Sequence, residues 1–214
     1  VYVNTDDASV SGVTVADVSR YIALEGVDGS GKSTVGAALA DRLRSRGEDV
    51  VVTREPGGTG FGEVIRGMLL DSDHLGIRAE VLLFAAQRAV LVDEVIRPAL
   101  ERGEWVISDR TYYSSLAYQG HARGVGEDWV RRVNEWAVDG VQPDLVVVLD
   151  VDPEEGLRRQ HRADRIGREG VEFQSRVRAA YLDVARREPG RVLVLPGSLT
   201  VEQMVDAILE RLGA

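Results

Sequence analysis

From Tyr21 onward the chain alternates short apolar runs with longer stretches in which apolar residues recur every three or four positions. The runs are YIALEG (21–26), DVVVTREP (49–56), EWVISDR (104–110), DLVVVLDV (144–151) and RVLVLPG (191–197). Each is short and rich in Val, Ile or Leu, the pattern of strands covered on both faces. Between them, helical periodicity is expected near 32–46, 61–70, 78–102, 111–120, 127–139, 153–163, 172–187 and 200–212. Strand–helix–strand repetition requires crossovers, hence a parallel sheet with helices on both sides: an α/β domain from about residue 20 to 214. Residues 1–19, VYVNTDDASVSGVTVADVS, stand outside this pattern. They are small and polar, with no positive charge and no apolar block, so they read as a disordered N-terminal arm rather than a signal peptide.

Composition narrows the partners. At 214 residues the chain fits one domain with a sizeable core, and 44% hydrophobic with 29% charged residues is ordinary for a water-soluble fold. A formal charge of −9 argues against a nucleic acid polymer as partner. A compact anion held by a few placed donors is still allowed. With no cysteine, disulfides and thiolate metal sites are excluded, and a cytoplasmic location is expected. No apolar run approaches the ~20 residues that span a bilayer, so no membrane partner is expected.

One residue type changes the picture further. Lys32 is the only lysine in the chain; all other basic side chains are arginine or histidine. It lies in EGVDGSGKST (25–34), where Gly26-x-x-x-x-Gly31-Lys32-Ser33 matches the P-loop pattern between an apolar strand and a helical segment. Gly26, Gly29 and Gly31 let successive backbone N–H groups turn toward phosphate oxygens, and the helix N-terminus adds a favourable dipole. A slim ammonium stem reaches the β- and γ-phosphates where a planar guanidinium is too wide. Ser33 offers a hydroxyl to Mg²⁺. Gly26, Val27, Asp28, Gly29, Ser30, Gly31, Lys32, Ser33 and Thr34 are therefore the expected ATP-binding segment. Guanine-specific GTPases read their base through N-K-x-D, which this chain lacks for want of a second lysine. A compact kinase for a nucleotide or metabolite fits best.

Beyond the P-loop, the chain from about Tyr21 to its end resembles bacterial thymidylate (dTMP) kinases, in the P-loop nucleoside monophosphate kinase family. The resemblance is carried by EGVDGSGKST, TREPGGT (53–59), AEVLLFAAQRA (79–89), SDRTYYSSLAYQG (108–120), PDLVVVLDVDPEEGLRR (143–159) and RADRIG (162–167). It implies a three-layer fold whose five-stranded parallel sheet has the order 2-3-1-4-5, with a short LID at about 158–170. It also implies transfer of the γ-phosphoryl group of ATP to dTMP with Mg²⁺, giving dTDP and ADP in dTTP biosynthesis, usually in a homodimer. A kinase for another deoxynucleotide or nucleoside is the competing enzyme reading. A nucleotide-binding module built on a dead kinase is the competing non-enzyme one.

The resemblance gives particular residues expected roles. Asp28 would face the acceptor sugar's 3′-hydroxyl and the metal region, the plainer alternative being a solvated loop acid. Asp109 would hold Mg²⁺ with Ser33, partly through water, and Arg110 would bridge the acceptor phosphate and the transferred group. Pro56 would follow a cis peptide and shape the acceptor site, while Arg54 and Glu55 read equally as exposed loop charges. Phe84 and Arg88, four apart, share a helix face. By spacing alone Phe84 reads as core, whereas the resemblance assigns it to stacking on thymine and Arg88 to the thymine O4. Ser114, Ser115, Tyr118 and Gln119 follow on the next helix, with Ser115 near the thymine N3 edge and Tyr118 excluding ribose.

The P-loop has Gly29-Ser30 where some relatives carry an arginine, so that charge is expected from the LID: Arg165 first, then Arg162, with Arg168 behind them. Two positions depart from the family pattern. Gly167 stands where a glutamate is common, whose role would pass to Glu169 or Glu172, and Thr111 follows the Asp109-Arg110 pair in place of an aromatic residue or histidine.

Overall fold

A computed structural model of the chain describes residues 20–72, 75–159 and 169–213. Five strands form one sheet: β1 (Tyr21–Glu25), β2 (Val50–Arg54), β3 (Trp105–Asp109), β4 (Leu145–Asp150) and β5 (Val192–Pro196). Their spatial order is β2-β3-β1-β4-β5 and every pairing is parallel, as expected from the resemblance.

The apolar runs sort by parity. Tyr21, Ala23, Val106, Val146, Val148 and Val192 enter one core. Ile22, Leu24, Trp105, Ile107, Leu145, Val147, Leu149 and Leu195 enter the other. Successive side chains of a strand point to opposite faces, so an unbroken apolar run serves two cores at once. Helices α1 (Lys32–Ser45) and α9 (Val201–Leu212) cover the second face, contributing Val35, Leu39, Leu43, Met204, Val205 and Ile208. The first face is covered by α2 (Gly60–Asp71), α3 (Ile77–Leu91), α4 (Arg97–Glu101), α5 (Tyr112–Ser115), α6 (Glu127–Val138) and α8 (Gly170–Arg187). The short α7 (Pro153–Arg159) follows β4.

Two expected helices carry an irregularity. The stretch predicted at 78–102 runs as α3, a π-helical turn at Val92–Ile96, then α4. The stretch at 111–120 begins as α5 and continues as a π-helical segment, Leu116–Ala122. A π turn inserts one residue into the ladder and rotates the following face, which 3.6-residue periodicity does not reveal. The expected arm (1–19) and most of the expected LID, including Arg162, Arg165, Gly167 and Arg168, lie outside the described residues.

The tip of the P-loop rests on α7. A Cβ at Gly29 would lie 2.0 Å from the Gly156 carbonyl oxygen, and one at Gly156 would lie 2.4 Å from the Asp28 carbonyl oxygen. Gly29 also has φ +73°, where L side chains are strained. We therefore expect Gly29→Ala to destabilise the fold by about 1–3 kcal/mol through overpacking. Urea denaturation beside Gly31→Ala, whose Cβ would meet nothing within 4 Å despite φ +94°, isolates the packing part. Equal losses in both variants would leave only backbone strain.

Candidate active site

The sheet delivers the expected residues to its carboxyl edge. Glu25, Arg54, Asp109 and Asp150 end strands β1 to β4 on that side, where ligands collect in open parallel sheets. Between β1 and α1 the P-loop turns over this edge. Gly31, with φ +94°, caps α1 without any side-chain hydrogen bond, whereas Thr59 caps α2 and Thr200 caps α9. The first N–H groups of α1 are thus left for an anion, and the first turn carries no acid to oppose one.

Lys32 is almost buried and folded back into its own loop. Its ammonium donates to the carbonyls of Gly26 (3.2 Å) and Val27 (3.0 Å) and to Ser30 Oγ (3.3 Å). Burial lowers its pKa to about 8, helped by the Arg110 guanidinium and opposed by Asp109 and Asp28. Ser33 Oγ donates to Asp109 Oδ2 at 2.5 Å, which joins the two expected metal-site residues.

Arg110 approaches from the other side and donates to the same Gly26 carbonyl, also at 3.2 Å. It further donates to Ser114 Oγ (3.0 Å), pairs with Asp28, and lies over the Tyr118 ring at 5.2 Å. Its φ of 76° is unusual for a side chain of this size. The conformation is held by its N–H on the Leu24 carbonyl (2.9 Å) and by Ser108 Oγ on its own carbonyl (2.6 Å). Strain over-determined in this way clusters at functional sites.

Lys32 and Arg110 each line a cleft. One is lined by Gly29, Ser30, Gly31, Lys32, Ser33 and Thr34 of the loop, faced by Arg159 and by Gly197, Leu199, Thr200, Val201 and Met204. The other is lined by Asp28, Pro56, Phe84, Arg110, Ser114, Ser115, Tyr118 and Gln119, all expected acceptor-side residues, together with Glu55, Arg66 and Leu70. The Glu55–Pro56 peptide is cis.

Arg88 does not line this cavity. It is 1% exposed and lies behind the wall, paired with Glu55 (2.5 Å) and bonded to Asn134, with Ser115 Oγ at 3.4 Å. The reach to a ligand expected for it passes through Ser115 in this structure. Glu55, read equally as an exposed charge, is 4% exposed. Burial raises its pKa against the pull of Arg88, so the pair is better understood as fixing geometry than as adding stability. Arg54 is the exposed one, paired with Glu63 at 3.0 Å. Thr111 is buried and serves a fixed purpose, since its N–H and hydroxyl both donate to Glu25 Oε1 at 2.7 and 2.9 Å. Ser114 and Tyr181 donate to Glu25 Oε2 at 2.6 and 2.8 Å. Of the two acids considered as replacements at the LID, Glu169 pairs with Arg123 at 2.8 Å, and Glu172 pairs loosely with Arg176 at 3.6 Å.

Sequence reasoning missed Arg66, Glu25, Gln174 and the wall after β5. Arg66 donates to the Pro56 carbonyl at 2.7 Å, and its place one helical turn before Leu70 gave no chemical signal. The residues after β5 were open to inference, because the loop following a neighbouring strand flanks any ligand at this edge.

Comparison with known proteins bears on the chain as a whole. The Thymidylate kinase family model matches residues 24–208. The thymidylate kinase of Halothermothrix orenii is 49% identical over 191 residues, 86% of this chain and 91% of that protein. That of Bifidobacterium longum subsp. infantis is 47% identical over 194 residues, 88% of this chain and 83% of that one. The crystal structure of thymidylate kinase from Ehrlichia chaffeensis superposes with a TM-score of 0.77 at 32% identity, covering 92% of this chain and 99% of that one.

The depressed Lys32 pKa has a testable consequence with a definite sign. Below about pH 8 the ammonium is charged in the free protein, the state that would support polyphosphate binding. Above it the lysine must first take up a proton, so ATP affinity should fall by up to about tenfold per pH unit. Calorimetric titration with ATP from pH 7 to 9.5 measures this; affinity unchanged to pH 9.5 would refute it.

Proposed function

Given that the chain belongs to the thymidylate kinase family, we propose that it transfers the γ-phosphoryl group of ATP to dTMP, giving dTDP and ADP. The observation that carries this reading is the shared Gly26 carbonyl, which joins the one lysine of the phosphate loop to the arginine of the acceptor cavity. Phosphoryl transfer asks a protein for positioning and charge neutralisation more than for covalent chemistry. ATP lies along the P-loop, with Lys32 beside its terminal phosphates. The dTMP phosphate sits against Arg110, and one of its oxygens attacks the γ-phosphorus in line as the bond to the bridging oxygen of ADP breaks. No side chain is acylated or phosphorylated on the way.

The acceptor-side assignments follow the cavity. Phe84 stacks on the thymine, Ser115 meets its polar edge with Arg88 behind, and Pro56 and Gln119 bound the pocket. Asp28 faces the sugar's 3′-hydroxyl, while Tyr118 crowds the 2′ carbon and excludes ribose. Arg165 or Arg162 brings the further positive charge to the γ-phosphoryl group. The Ser33 hydroxyl and Asp109 carboxylate suit Mg²⁺, a hard cation that takes few protein oxygens and completes its shell with water and phosphate. Held there by Ser33 and Asp109, it would supply neutralisation of the phosphate charge. A cytoplasmic setting, where both nucleotides are present, belongs to the same reading.

A homodimer is part of it too. Phe61, Val64 and Met68 on α2, Leu82 on α3, and Trp129 and Trp136 on α6 are exposed apolar side chains. Arg78, Val81, Leu82, Val125, Trp129, Val130 and Val133 line an apolar groove between α3 and α6. Clustered exposure of this kind marks an association surface.

A coupled ADP-release assay across dTMP, dUMP, dCMP, UMP and thymidine, with and without Mg²⁺, tests the activity. dTMP should be preferred and Mg²⁺ required, and Lys32→Ala should lose orders of magnitude in turnover with its fold intact. A preference for thymidine or UMP would favour the other kinase readings, and no turnover with any acceptor would favour a dead nucleotide-binding module. Sedimentation velocity should show a dimer that Leu82→Glu converts to monomer; a monomeric wild type at micromolar concentration removes the dimer from the proposal.

A further inference from the structure

Asp28 is held from a helix far along the chain. Gln174, on α8 and 1% exposed, donates its Nε2 to Asp28 Oδ2 at 3.0 Å. The other carboxylate oxygen, Oδ1, takes Arg110 and the Tyr118 hydroxyl, the latter at 3.2 Å. A carboxylate only accepts, so the amide must present its NH₂ to Asp28; its carbonyl then lies 3.5 Å from the Tyr118 hydroxyl, whose one proton goes to the nearer Asp28 Oδ1. The orientation of Gln174 is thereby determined. Its helix is anchored on both sides of it. Phe173 meets the Tyr118 ring edge-on with centroids 6.0 Å apart, and Tyr181, seven residues on and hence on the same face, donates to buried Glu25.

We propose that Gln174 is a positioning residue for the transfer reaction: it pins Oδ2 of Asp28, so that Oδ1 stays directed at Arg110 and the acceptor cavity. This rests on the reading of Asp28 as an acceptor-facing acid. The chemistry favours a neutral donor. An arginine or lysine here would compete with Arg110 for Asp28 and discharge it. A glutamate would repel it, and an apolar residue would free the carboxylate to rotate, placing a negative charge at will beside the phosphates. An amide orients the carboxylate and leaves its charge intact.

The test uses Gln174→Met, which keeps the shape but loses the donor, and Gln174→Glu, which keeps shape and polarity but opposes Asp28. Each is measured alone and with Asp28→Ala, beside thermal unfolding. A hydrogen bond to a charged group supports an effect of about ten-fold or more. We expect kcat to fall by that factor and the acceptor KM to rise, with the ATP KM unchanged. On the Asp28→Ala background the Gln174 change should cost nothing further, because both act through one carboxylate. If Asp28→Ala turns over like wild type, the role of Asp28 fails and this proposal with it. If Asp28→Ala is impaired but the Gln174 effects are absent, additive to it, or shared equally by the ATP KM, this proposal alone is overturned. Should Gln174→Met fail to fold, wild-type turnover in folded Gln174→Glu overturns it as well.

Discussion

One backbone oxygen organises the catalytic edge of the molecule. The Gly26 carbonyl accepts from the Lys32 ammonium and from the Arg110 guanidinium, each at 3.2 Å. Two cations brought to one point repel each other, and the lowered Lys32 pKa carries that repulsion as its second cause after burial. A carbonyl has two lone pairs and can hold both donors at once. The sheet fixes where that carbonyl stands: β1 pairs with β3, and the Arg110 N–H continues the ladder onto Leu24. Glycine is needed at position 26, since its φ is +141° and a Cβ would sit 2.7 Å from the Leu149 carbonyl oxygen. Donor side and acceptor side are therefore set relative to each other by main-chain geometry before any ligand arrives.

The fold was legible because its signals are local and redundant. Each apolar run serves two cores, so every buried strand announces itself without alternation, and Gly31-Lys32-Ser33 marks where the first turn meets its helix. Strand order came from resemblance alone, because nothing in one strand's residues says which strand lies beside it. The placement of residues tied to a motif was legible: Lys32, Asp109 and Arg110 do gather at the sheet's carboxyl edge. It was illegible where a residue acts through another. Glu25 carried no signal of its own in the sequence, yet it holds Thr111, Ser114 and Tyr181. Arg88 was assigned direct contact but lies behind Ser115, because burial depth on a helix face cannot be read from spacing. Gln174 is 146 residues from its partner, in an ordinary amphipathic helix.

Two buried acids brace the acceptor cavity. Glu25 is fully buried and accepts from Ser114 in the cavity wall, and Glu55, 4% exposed, is itself part of that wall. A buried charge costs desolvation that even a good partner rarely returns in full. Their partners, however, are the residues or neighbours of residues that line the clefts: Thr111 and Ser114 for Glu25, Arg88 and Gln87 for Glu55. Gln87 passes the restraint on, accepting from the Gly57 N–H next to Pro56 at 3.1 Å. Stability lost in burying these acids is offset by the two apolar cores, and what it secures is a wall that does not shift.

The division between lysine and arginine follows from the same geometry. Arg110 and Arg88 use the fork: Arg110 spans Gly26, Ser114 and Asp28, and Arg88 spans Glu55, Asn134 and Ser115. Arg178 grips both oxygens of Asp150 at 2.5 and 3.0 Å. A planar fork joins separate elements and holds their spacing. At position 32 the demand is the opposite. The charge must fit among oxygens of a single loop, Gly26, Val27 and Ser30, and leave them for phosphate without moving the backbone. An ammonium on a flexible stem, with three donors pointing in no fixed plane, can exchange loop carbonyls for phosphate oxygens by rotating its own bonds. A guanidinium would have to fit and turn as a plate among the Gly26 and Val27 carbonyls and Ser30 Oγ. On the proposed reading the single lysine is the part of the site that moves, while Arg110 and Arg88 hold their places.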